Sequence, residues 1–411
     1  MNIGPVSVLV VDDSALMRNL ISRIIEDATG LRVAGTAMNG EFALQKIERL
    51  QPDIVLLDLE MPKMNGIEFL EERRKRGIDV PVVVLSSVAQ KGARITMDAI
   101  GLGASDFLLK PSGAISEDIH TVAVQLTEML RGYGREYRRR KGRVGGPDDT
   151  AGVDSGAAGR GSVSGAGSAA SAPGSAARGG AATDCGGRGS AVPAGEAAAV
   201  HDAAGVQRAT PDIAAAAGPT EIIVIGVSTG GPNALRKMLA AIDDGLPAPI
   251  VVVQHMPAGF TTEFARSLDR VCALEVKEAE EGDLLKPGRI LIAPGNRHIT
   301  VERKSLAGVV HVTDGESRNG HRPSADVLFA SVAEQYGRNA LAVIMTGMGR
   351  DGAVELGSIR RRGGITLGQD AASCVVYGMP RVAWELGHVQ QQIPLHEMAE
   401  TISRLAREQR E

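Results

Sequence analysis

A long segment of small residues divides this chain of 411 residues and limits what it can fold into. From residue 142 to residue 219 there is no Leu, Met, Phe, Tyr or Trp, and Ala and Gly together supply about half of the positions. Such a segment cannot bury enough apolar surface to offset the conformational entropy that folding costs. We therefore predict a flexible linker at residues 133–219, between an N-terminal domain at 1–132 and a C-terminal domain at 220–411.

The N-terminal part alternates short apolar runs with helical patterns. Strands that alternate with helices indicate βαβ units, and hence a parallel sheet covered by helices on both faces. Five such repeats predict a compact, doubly wound α/β domain. The expected strands are 6–11, 32–37, 54–57, 80–85 and 106–109, and the expected helices include 15–28, 41–50 and 67–76.

The same rhythm resumes after the linker and continues to the end of the chain. We therefore expect a second, larger α/β domain that is doubly wound and mostly parallel. The expected strands are 222–226, 249–253, 289–293, 298–302, 309–312, 340–345 and 364–367. The expected helices start at 233 and 351 or cover 261–268, 325–336 and 395–410.

The composition favours neither nucleic acid nor membrane as a partner. A net charge of −4 gives no general attraction to anionic polymers or lipids, and 3% aromatic residues offer few stacking surfaces. No apolar run reaches the roughly 18–20 residues that cross a bilayer, and no basic signal region precedes the first strand pattern. The three cysteines form no CxxC pair. We expect a cytoplasmic protein without a disulfide framework, a zinc site or membrane insertion.

Four strands of the first domain end in polar residues, which should meet at the carboxyl edge of the sheet. Asp12, Asp13 and Asp58 would repel one another unless a hard cation such as Mg²⁺ neutralised them. Ser86 and Lys110 would then stabilise phosphoryl oxygens. The pattern predicts phosphoryl transfer to Asp58 beside a metal held by the three carboxylates. Each acid taken alone also fits a cap or turn role, as Asp13 would at the first helix.

These residues lie in segments that resemble the receiver domain of two-component response regulators. The matching segments are 10–14, 57–66, 86–87 and 110–111, and the resemblance covers nearly all of residues 5–131. It implies a flavodoxin-like (βα)₅ fold and gives the five residues above the same roles, with Asp58 as phosphoacceptor. It also implies that Phe107 is the switch aromatic and that a cis peptide joins Lys110 to Pro111.

A candidate nucleophile follows the first strand of the second domain. Residues 226–232 place Ser228 in a Gly-rich turn between a strand and a helix N-terminus. A serine there has an exposed Oγ, and the neighbouring backbone N–H groups can bind an oxyanion. Because small Gly/Ser turns also bind phosphates, this motif by itself leaves both roles open.

Two further strand ends supply a base and an acid. His255 follows the strand at 249–253, and Asp351 follows the strand at 340–345. Each alone fits a structural role, but three such residues at the carboxyl ends of one sheet fit a serine hydrolase. We expect Ser228 to attack a carbonyl, His255 to take its proton and Asp351 to orient the imidazole, with no cofactor for the hydrolysis.

Other functions remain to be weighed against this triad. The turn at Ser228 also fits the elbow of α/β-hydrolases, whose order of Ser, acid and His would use Asp351 or Asp370 with His388 or His396. The C-terminal domain of about 190 residues is short for that fold, and His255 is the better base. A non-enzymatic binding module is the second alternative. A transcription factor is disfavoured, since no helix-turn-helix pattern follows the linker.

The second domain resembles the chemotaxis protein-glutamate methylesterase family, CheB. The matching segments are 226–232, 254–257, 293–298, 322–326 and 345–353, and the resemblance spans residues 220–405. It implies hydrolysis of γ-glutamyl methyl esters on chemoreceptors, deamidation of receptor glutamines and a chemotaxis histidine kinase as phosphodonor. It also assigns Thr229 and Met348 to positions beside the nucleophile and the oxyanion. The linker is longer than this family's usual connector.

The resemblance also implies control of the hydrolase by the receiver. We expect the unphosphorylated receiver to cover the Ser228 cleft and phosphorylation of Asp58 to weaken that contact.

Two basic runs receive structural interpretations. We interpret residues 138–141 as a solvated charge run at the start of the linker, and residues 360–362 as the end of a helix. His298, His311 and His321 have no metal-ligand spacing.

Overall fold

Two parallel sheets, one in each half of the chain, organise the protein. The computed structural model describes residues 4–87, 90–110, 117–142 and 217–408, and these residues belong to one compact unit. Residues 143–216 of the linker predicted at 133–219, and the predicted cis peptide at Pro111, lie outside the described residues.

The N-terminal sheet has five parallel strands in the order β2-β1-β3-β4-β5, which is the flavodoxin-like order. Every residue of β1, β3 and β4 is buried, because helices cover both faces. The prediction of a flavodoxin-like (βα)₅ receiver is therefore confirmed. Its elements are β1 Val6–Val11, α1 Ala15–Glu26, β2 Leu31–Ala37, α2 Gly40–Leu50, β3 Ile54–Asp58, α3 Gly66–Lys75, β4 Val82–Ser86, α4 Gln90–Gly101, β5 Asp106–Leu109 and α5 Glu117–Arg140.

Local capping explains where the receiver helices begin. Asn65 and Glu68 form a reciprocal capping box at α3. Ser14 caps α1 by accepting a hydrogen bond from the Met17 N–H. The capping role considered for Asp13 therefore falls to its neighbour, and Asp13 lies exposed at the edge of the sheet.

Helix α5 continues past residue 133, where we expected the linker to begin. Tyr133 and Tyr137 are buried on this helix, and their contacts hold its last turns against the receiver. The prediction of a solvated basic run at 138–141 is wrong for Arg138, which pairs with the buried Asp53 at 2.6 Å, whereas residues 139–141 are exposed. Lys141 pairs with Asp79 at 2.9 Å.

The C-terminal domain is built on seven parallel strands in the order β15-β14-β13-β6-β7-β10-β8. The doubly wound, mostly parallel domain is thus confirmed. A separate antiparallel sheet, β11-β12-β9, flanks it. The strands are β6 Ile222–Val227, β7 Ile250–Gln254, β8 Glu275–Glu278, β9 Leu284–Leu285, β10 Arg289–Ile292, β11 His298–Arg303, β12 Gly308–Thr313, β13 Ala340–Ile344, β14 Ile365–Gln369 and β15 Gln391–Ile393.

Helices cover both faces of this sheet, and their bounds are α6 Gly231–Leu239, α7 Phe260–Asp269, α8 Ala325–Tyr336, α9 Ala353–Arg361, α10 Met379–Glu385 and α11 Leu395–Glu408, with a 3₁₀ turn at Gly337–Asn339. As expected, the basic run at 360–362 ends a helix, α9. Strands β8, β9 and β15 and helix α10 were not predicted. Strands β8 and β15 are polar edge strands, and α10 has only seven residues, with a proline in its first turn.

The receiver packs on the C-terminal domain through its β5 edge and α4. Phe107 of β5 stacks on Phe260 of α7, with ring centroids 5.1 Å apart and planes 7° from parallel. Asp98 of α4 lies 3.8 Å from Arg270. Buried apolar residues of both domains form one continuous cluster across this contact.

Among the described residues, no helix combines the length and apolar character needed to span a bilayer.

Candidate functional site

The polar strand ends of the receiver meet in one place. Asp12, Asp13 and Asp58 each offer a carboxylate oxygen, and these oxygens lie within 4.8 Å of one another. Lys110 reaches the same point, with its Nζ 2.7 Å from Asp58 and 3.1 Å from Asp12. Oxygen donors in this number fit Mg²⁺.

The electrostatics of this cluster also suit a cation. Burial raises the pKa of Asp58, and the nearby Asp12 adds to this, although the hydrogen bond and charge of Lys110 lower it. Asp58 and Asp12 are both buried. A divalent cation would offset the repulsion between them and favour the ionised form of Asp58.

Ser86 and Phe107, the other receiver residues predicted to matter, lie on the neighbouring strands β4 and β5. Ser86 is buried at the end of β4, where its hydroxyl accepts a hydrogen bond from Thr96 of α4 at 2.6 Å. Phe107 faces the C-terminal domain through its stack on Phe260. Helix α4 also packs on α7, so both residues contact elements of the domain interface.

The C-terminal candidate site lies where the strand order of the large sheet reverses, between β6 and β13. Ligands bind at such switch points in doubly wound sheets. Ser228 follows β6, His255 follows β7 and Asp351 comes after β13. The topology thus brings the ends of three adjacent strands together.

The turn that carries Ser228 requires glycine. Gly230 has a φ of 84°, a value that side chains disfavour. A Cβ on Gly231 would lie 1.9 Å from Gln254 Oε1. The Ser228 N–H donates to Thr346 O at 3.0 Å, so the turn is also tied to the end of β13.

His255 and Asp351 form a direct pair. His255 Nε2 lies 2.8 Å from Asp351 Oδ2. Asp351 also accepts hydrogen bonds from Ser324 Oγ at 2.7 Å, Asn319 Nδ2 at 2.8 Å and the Ala325 N–H at 2.6 Å. Burial opposes ionisation, but the bonds from His255, Ser324 and Asn319 hold the pKa of Asp351 well below its ordinary value. Asp351 is therefore a carboxylate.

This pair fixes the tautomer of His255. A carboxylate can only accept hydrogen bonds, so Nε2 carries the proton and Nδ1 is the basic nitrogen. Nδ1 is buried and has no hydrogen-bond partner among the described residues. His255 can thus accept a proton at Nδ1 while Asp351 stabilises the imidazolium that results.

Ser228, Thr229 and His255 line one cavity of about 420 Å³. The receiver strand β5, at Asp106–Leu109, lines the same cavity, so the receiver lies over the nucleophile. Thr229 O accepts a hydrogen bond from Thr346 Oγ1 at 2.9 Å. Met348 is half-buried in the loop between β13 and α9.

The residues that an α/β-hydrolase triad would require make contacts elsewhere. His388 Nδ1 lies 2.8 Å from Ala353 O, and the exposed His396 lies 3.3 Å from Glu397. Asp370 accepts a hydrogen bond from the Ser373 N–H at 3.0 Å. The geometry at Ser228 therefore favours His255 over either histidine.

Several residues around the triad were given no functional role from the sequence. Ser324 and Asp326 lie in the segment 322–326 that carries the family resemblance, but no role was assigned to them. Asn319 and His321 belong to a loop whose only signal is an Asn-Gly pair typical of a tight turn. Asp106 of the receiver bonds to the Gly230 N–H at 2.7 Å, a contact between residues far apart in the chain.

Comparisons with known proteins agree with both halves of the chain. Residues 223–402 match the CheB methylesterase family and residues 8–122 match the response regulator receiver domain. The chain is 50% identical to the protein-glutamate methylesterase/protein-glutamine glutaminase of Treponema pallidum (strain Nichols), covering 98% of both chains. It is 51% identical to the protein of the same name from Treponema denticola, covering 98% of this chain and 99% of that one.

Among solved structures, the Thermotoga maritima CheB methylesterase catalytic domain is 39% identical and aligns with a TM-score of 0.45, covering 45% of this chain and 98% of that one. The two Treponema relatives match both domains and the order in which they occur. This chain belongs to the protein-glutamate methylesterase/protein-glutamine glutaminase family, the CheB methylesterases that carry an N-terminal receiver domain.

Proposed function

We propose that this protein hydrolyses methyl esters of glutamate side chains in chemoreceptors, and deamidates receptor glutamines, with Ser228, His255 and Asp351 as the catalytic triad. The observation that carries the proposal is the 2.8 Å pair between His255 and Asp351 in the loops around the Ser228 turn. The name shared by the two Treponema relatives supports the same substrate chemistry.

Each residue has a defined task in the reaction. Ser228 Oγ attacks the side-chain carbonyl carbon of the substrate while Nδ1 of His255 takes its proton. The oxyanion is stabilised by backbone N–H groups near Thr229 and Met348. The imidazolium then gives its proton to the leaving group, and a covalent ester of Ser228 remains. General base action of this kind contributes about 10²–10⁴-fold to the rate.

Water completes the cycle by the same route in reverse. His255 takes a proton from water, the resulting hydroxide attacks the acyl-enzyme, and Ser228 leaves with that proton. The leaving group of the first step is methanol from an ester and ammonia from an amide. One triad therefore serves both reactions, and both leave a glutamate carboxylate on the receptor.

The receiver regulates this reaction in our proposal. A chemotaxis histidine kinase supplies the phosphoryl group to Asp58, and Asp12 and Asp13 would hold Mg²⁺ beside it. Mg²⁺ would supply charge neutralisation for the phosphoryl transfer. Because β5 lines the cavity around Ser228, the unphosphorylated receiver limits access of a receptor helix. Phosphorylation, read by Ser86 and Lys110, weakens the contact at Phe107.

The test is methanol release from methylated chemoreceptor membranes. We expect release that requires Ser228 and that rises when acetyl phosphate is added. A Ser228→Ala protein should be folded and inactive. If this variant keeps its effect on receptor signalling, the C-terminal domain acts as a binding module and the proposed hydrolysis is wrong.

A further inference from the structure

A tight turn at residues 318–321 contacts the catalytic pair from the side. The Arg318 N–H donates to His321 O at 3.0 Å, and the His321 N–H donates to Arg318 O at 2.9 Å. Asn319 and Gly320 have φ values of 54° and 79°, as a two-residue Asn-Gly turn requires. Arg318 is also paired with Glu355 of α9 at 3.1 Å. The turn is therefore closed by two backbone hydrogen bonds and joined to α9 by the Arg318 side chain.

This turn contacts the catalytic pair with two side chains. Asn319 Nδ2 donates to Asp351 Oδ1 at 2.8 Å and to Asp326 Oδ2 at 2.7 Å. The ring of His321 lies on the ring of His255, with centroids 3.8 Å apart and planes 9° from parallel. One turn thus contacts both the base and the acid that orients it.

We propose that His321 is a positioning residue of the hydrolytic reaction, whose flat ring fixes the plane of His255 and favours the imidazolium that forms when Ser228 attacks. The inference rests on the proposed function of the triad. Without the stacked ring, the single bond from Nε2 to Asp351 would leave His255 free to tilt. A tilt moves Nδ1 away from the position in which it can take the Ser228 proton.

The stacking geometry favours a charged His255 over a neutral one. Two neutral aromatic rings avoid a close face-to-face arrangement, whereas a cation over a neutral ring is attracted to its π-face. The pair seen here is face to face at 3.8 Å. Its interaction therefore strengthens when His255 takes the proton, which is the condition for stabilising a transition state.

The surroundings disfavour a proton on His321. Burial, with a smaller contribution from His255, lowers the pKa of His321 to about 4, so His321 is neutral near pH 7. The charged groups around the pair include Asp351 against His255, Asp326 behind Asn319, the Arg318–Glu355 ion pair and Arg322 at the cavity wall. Only His255 contacts a carboxylate directly.

The experiment measures kcat and KM for methanol release by the full-length protein on methylated receptor membranes with acetyl phosphate. His321→Ala should lower kcat by about 10- to 100-fold, because small misplacement of a catalytic group has effects of this size. KM should change little. His321→Phe keeps a flat ring in place and should recover most of the rate. His311→Ala changes a half-buried histidine away from the triad, bonded to Glu281 and Glu302, and is the matched control.

The pH profile separates positioning from proton transfer. The acid limb of kcat/KM should follow a single proton in the wild type and keep its position in His321→Phe. A two-proton limb would show that His321 titrates with His255, and the inference would be wrong. If folded His321→Phe and His321→Ala lose the same amount of kcat, the inference is also wrong. Such a result would mean that catalysis needs a ring nitrogen of His321 and not its flat ring.

Two controls keep the outcome clear. If the wild type releases no methanol, the proposed function fails and the role of His321 fails with it, whereas an active wild type with an equally active His321→Ala overturns the role of His321 alone. If His321→Ala does not fold by circular dichroism, His321→Leu replaces it, because Leu fills the space without a flat ring. A wild-type kcat in either folded variant would exclude a positioning role.

Discussion

The carboxyl group of Asp106 accepts a hydrogen bond from the backbone N–H of Gly230, across the boundary between the two domains, at 2.7 Å. Gly230 precedes α6 and lies two residues after Ser228, so a receiver side chain is bonded to the turn that carries the nucleophile. An acidic group at a helix N-terminus is also favoured by the helix dipole. This polar contact lies next to the apolar stack of Phe107 on Phe260, and both join the receiver to the C-terminal domain.

Loss of the apolar contact should activate the unphosphorylated enzyme. Phe107→Ala removes a side chain that is 9% exposed and stacked on Phe260, and burial of such a side chain contributes about 2 kcal/mol. We expect a several-fold rise in methanol release without acetyl phosphate. Phe42→Ala, which changes an exposed phenylalanine on α2, is the control. Unchanged basal release in Phe107→Ala would mean that this stack does not hold the receiver in place.

The charge of Asp351 should be essential for hydrolysis. A neutral side chain of the same size should not replace it. Asp351→Asn keeps the size of the side chain but removes the carboxylate that fixes the His255 tautomer. Loss of this charge in comparable triads lowers kcat by about 10⁴-fold, and we expect a similar loss of methanol release. Asp370→Asn, which alters the acid of the α/β-hydrolase alternative, should be fully active. The reverse result would favour that alternative.

Removal of the metal should abolish regulation and leave hydrolysis intact. Asp12, Asp13 and Asp58 are the described carboxylates that cluster within metal-binding range, and they lie in the receiver. We expect excess EDTA to prevent stimulation by acetyl phosphate without lowering the basal rate. Asp58→Asn should behave in the same way even with Mg²⁺ present. A fall in the basal rate on chelation would indicate a metal in the hydrolytic reaction itself.

The strand ends were predictable because sheet topology places them together. A parallel sheet brings the residues after β6, β7 and β13 to one edge whatever the loops do, so Ser228, His255 and Asp351 were found from their spacing in the sequence. The partners of Asp351 could not be found in this way. Asn319 and His321 reach the triad from a loop whose path depends on tertiary packing.

Contacts between the domains were equally hidden from the sequence. Asp106 and Gly230 are separated by the linker, and no local pattern indicates that a carboxyl at the start of β5 will meet a helix N-terminus. The end of α5 was missed for a related reason. The basic run at its C-terminus resembles a solvated segment until the buried partner of Arg138 is known.

The docked Asp106 should make the basal activity depend on pH. Burial raises the pKa of Asp106 to about 7, although the bonds from Gly230, Phe107 and Tyr133 oppose this. In a receiver that has moved away, an exposed Asp titrates near its ordinary pKa of about 3.9. The docked form therefore binds the proton more tightly, so docking is strongest below about pH 4 and weakens as the pH rises towards 7.

We therefore expect the unphosphorylated enzyme to become less inhibited between pH 5 and pH 7 and to change little above that. Asp106→Asn keeps a hydrogen-bond acceptor for Gly230 but cannot ionise, so its docking should not vary with pH in this window. The measurement is the ratio of basal methanol release in wild type to that in Asp106→Asn, in which the pH dependence of the triad cancels. The ratio should rise with pH; a constant ratio would show that Asp106 has the same pKa whether the receiver is docked or free.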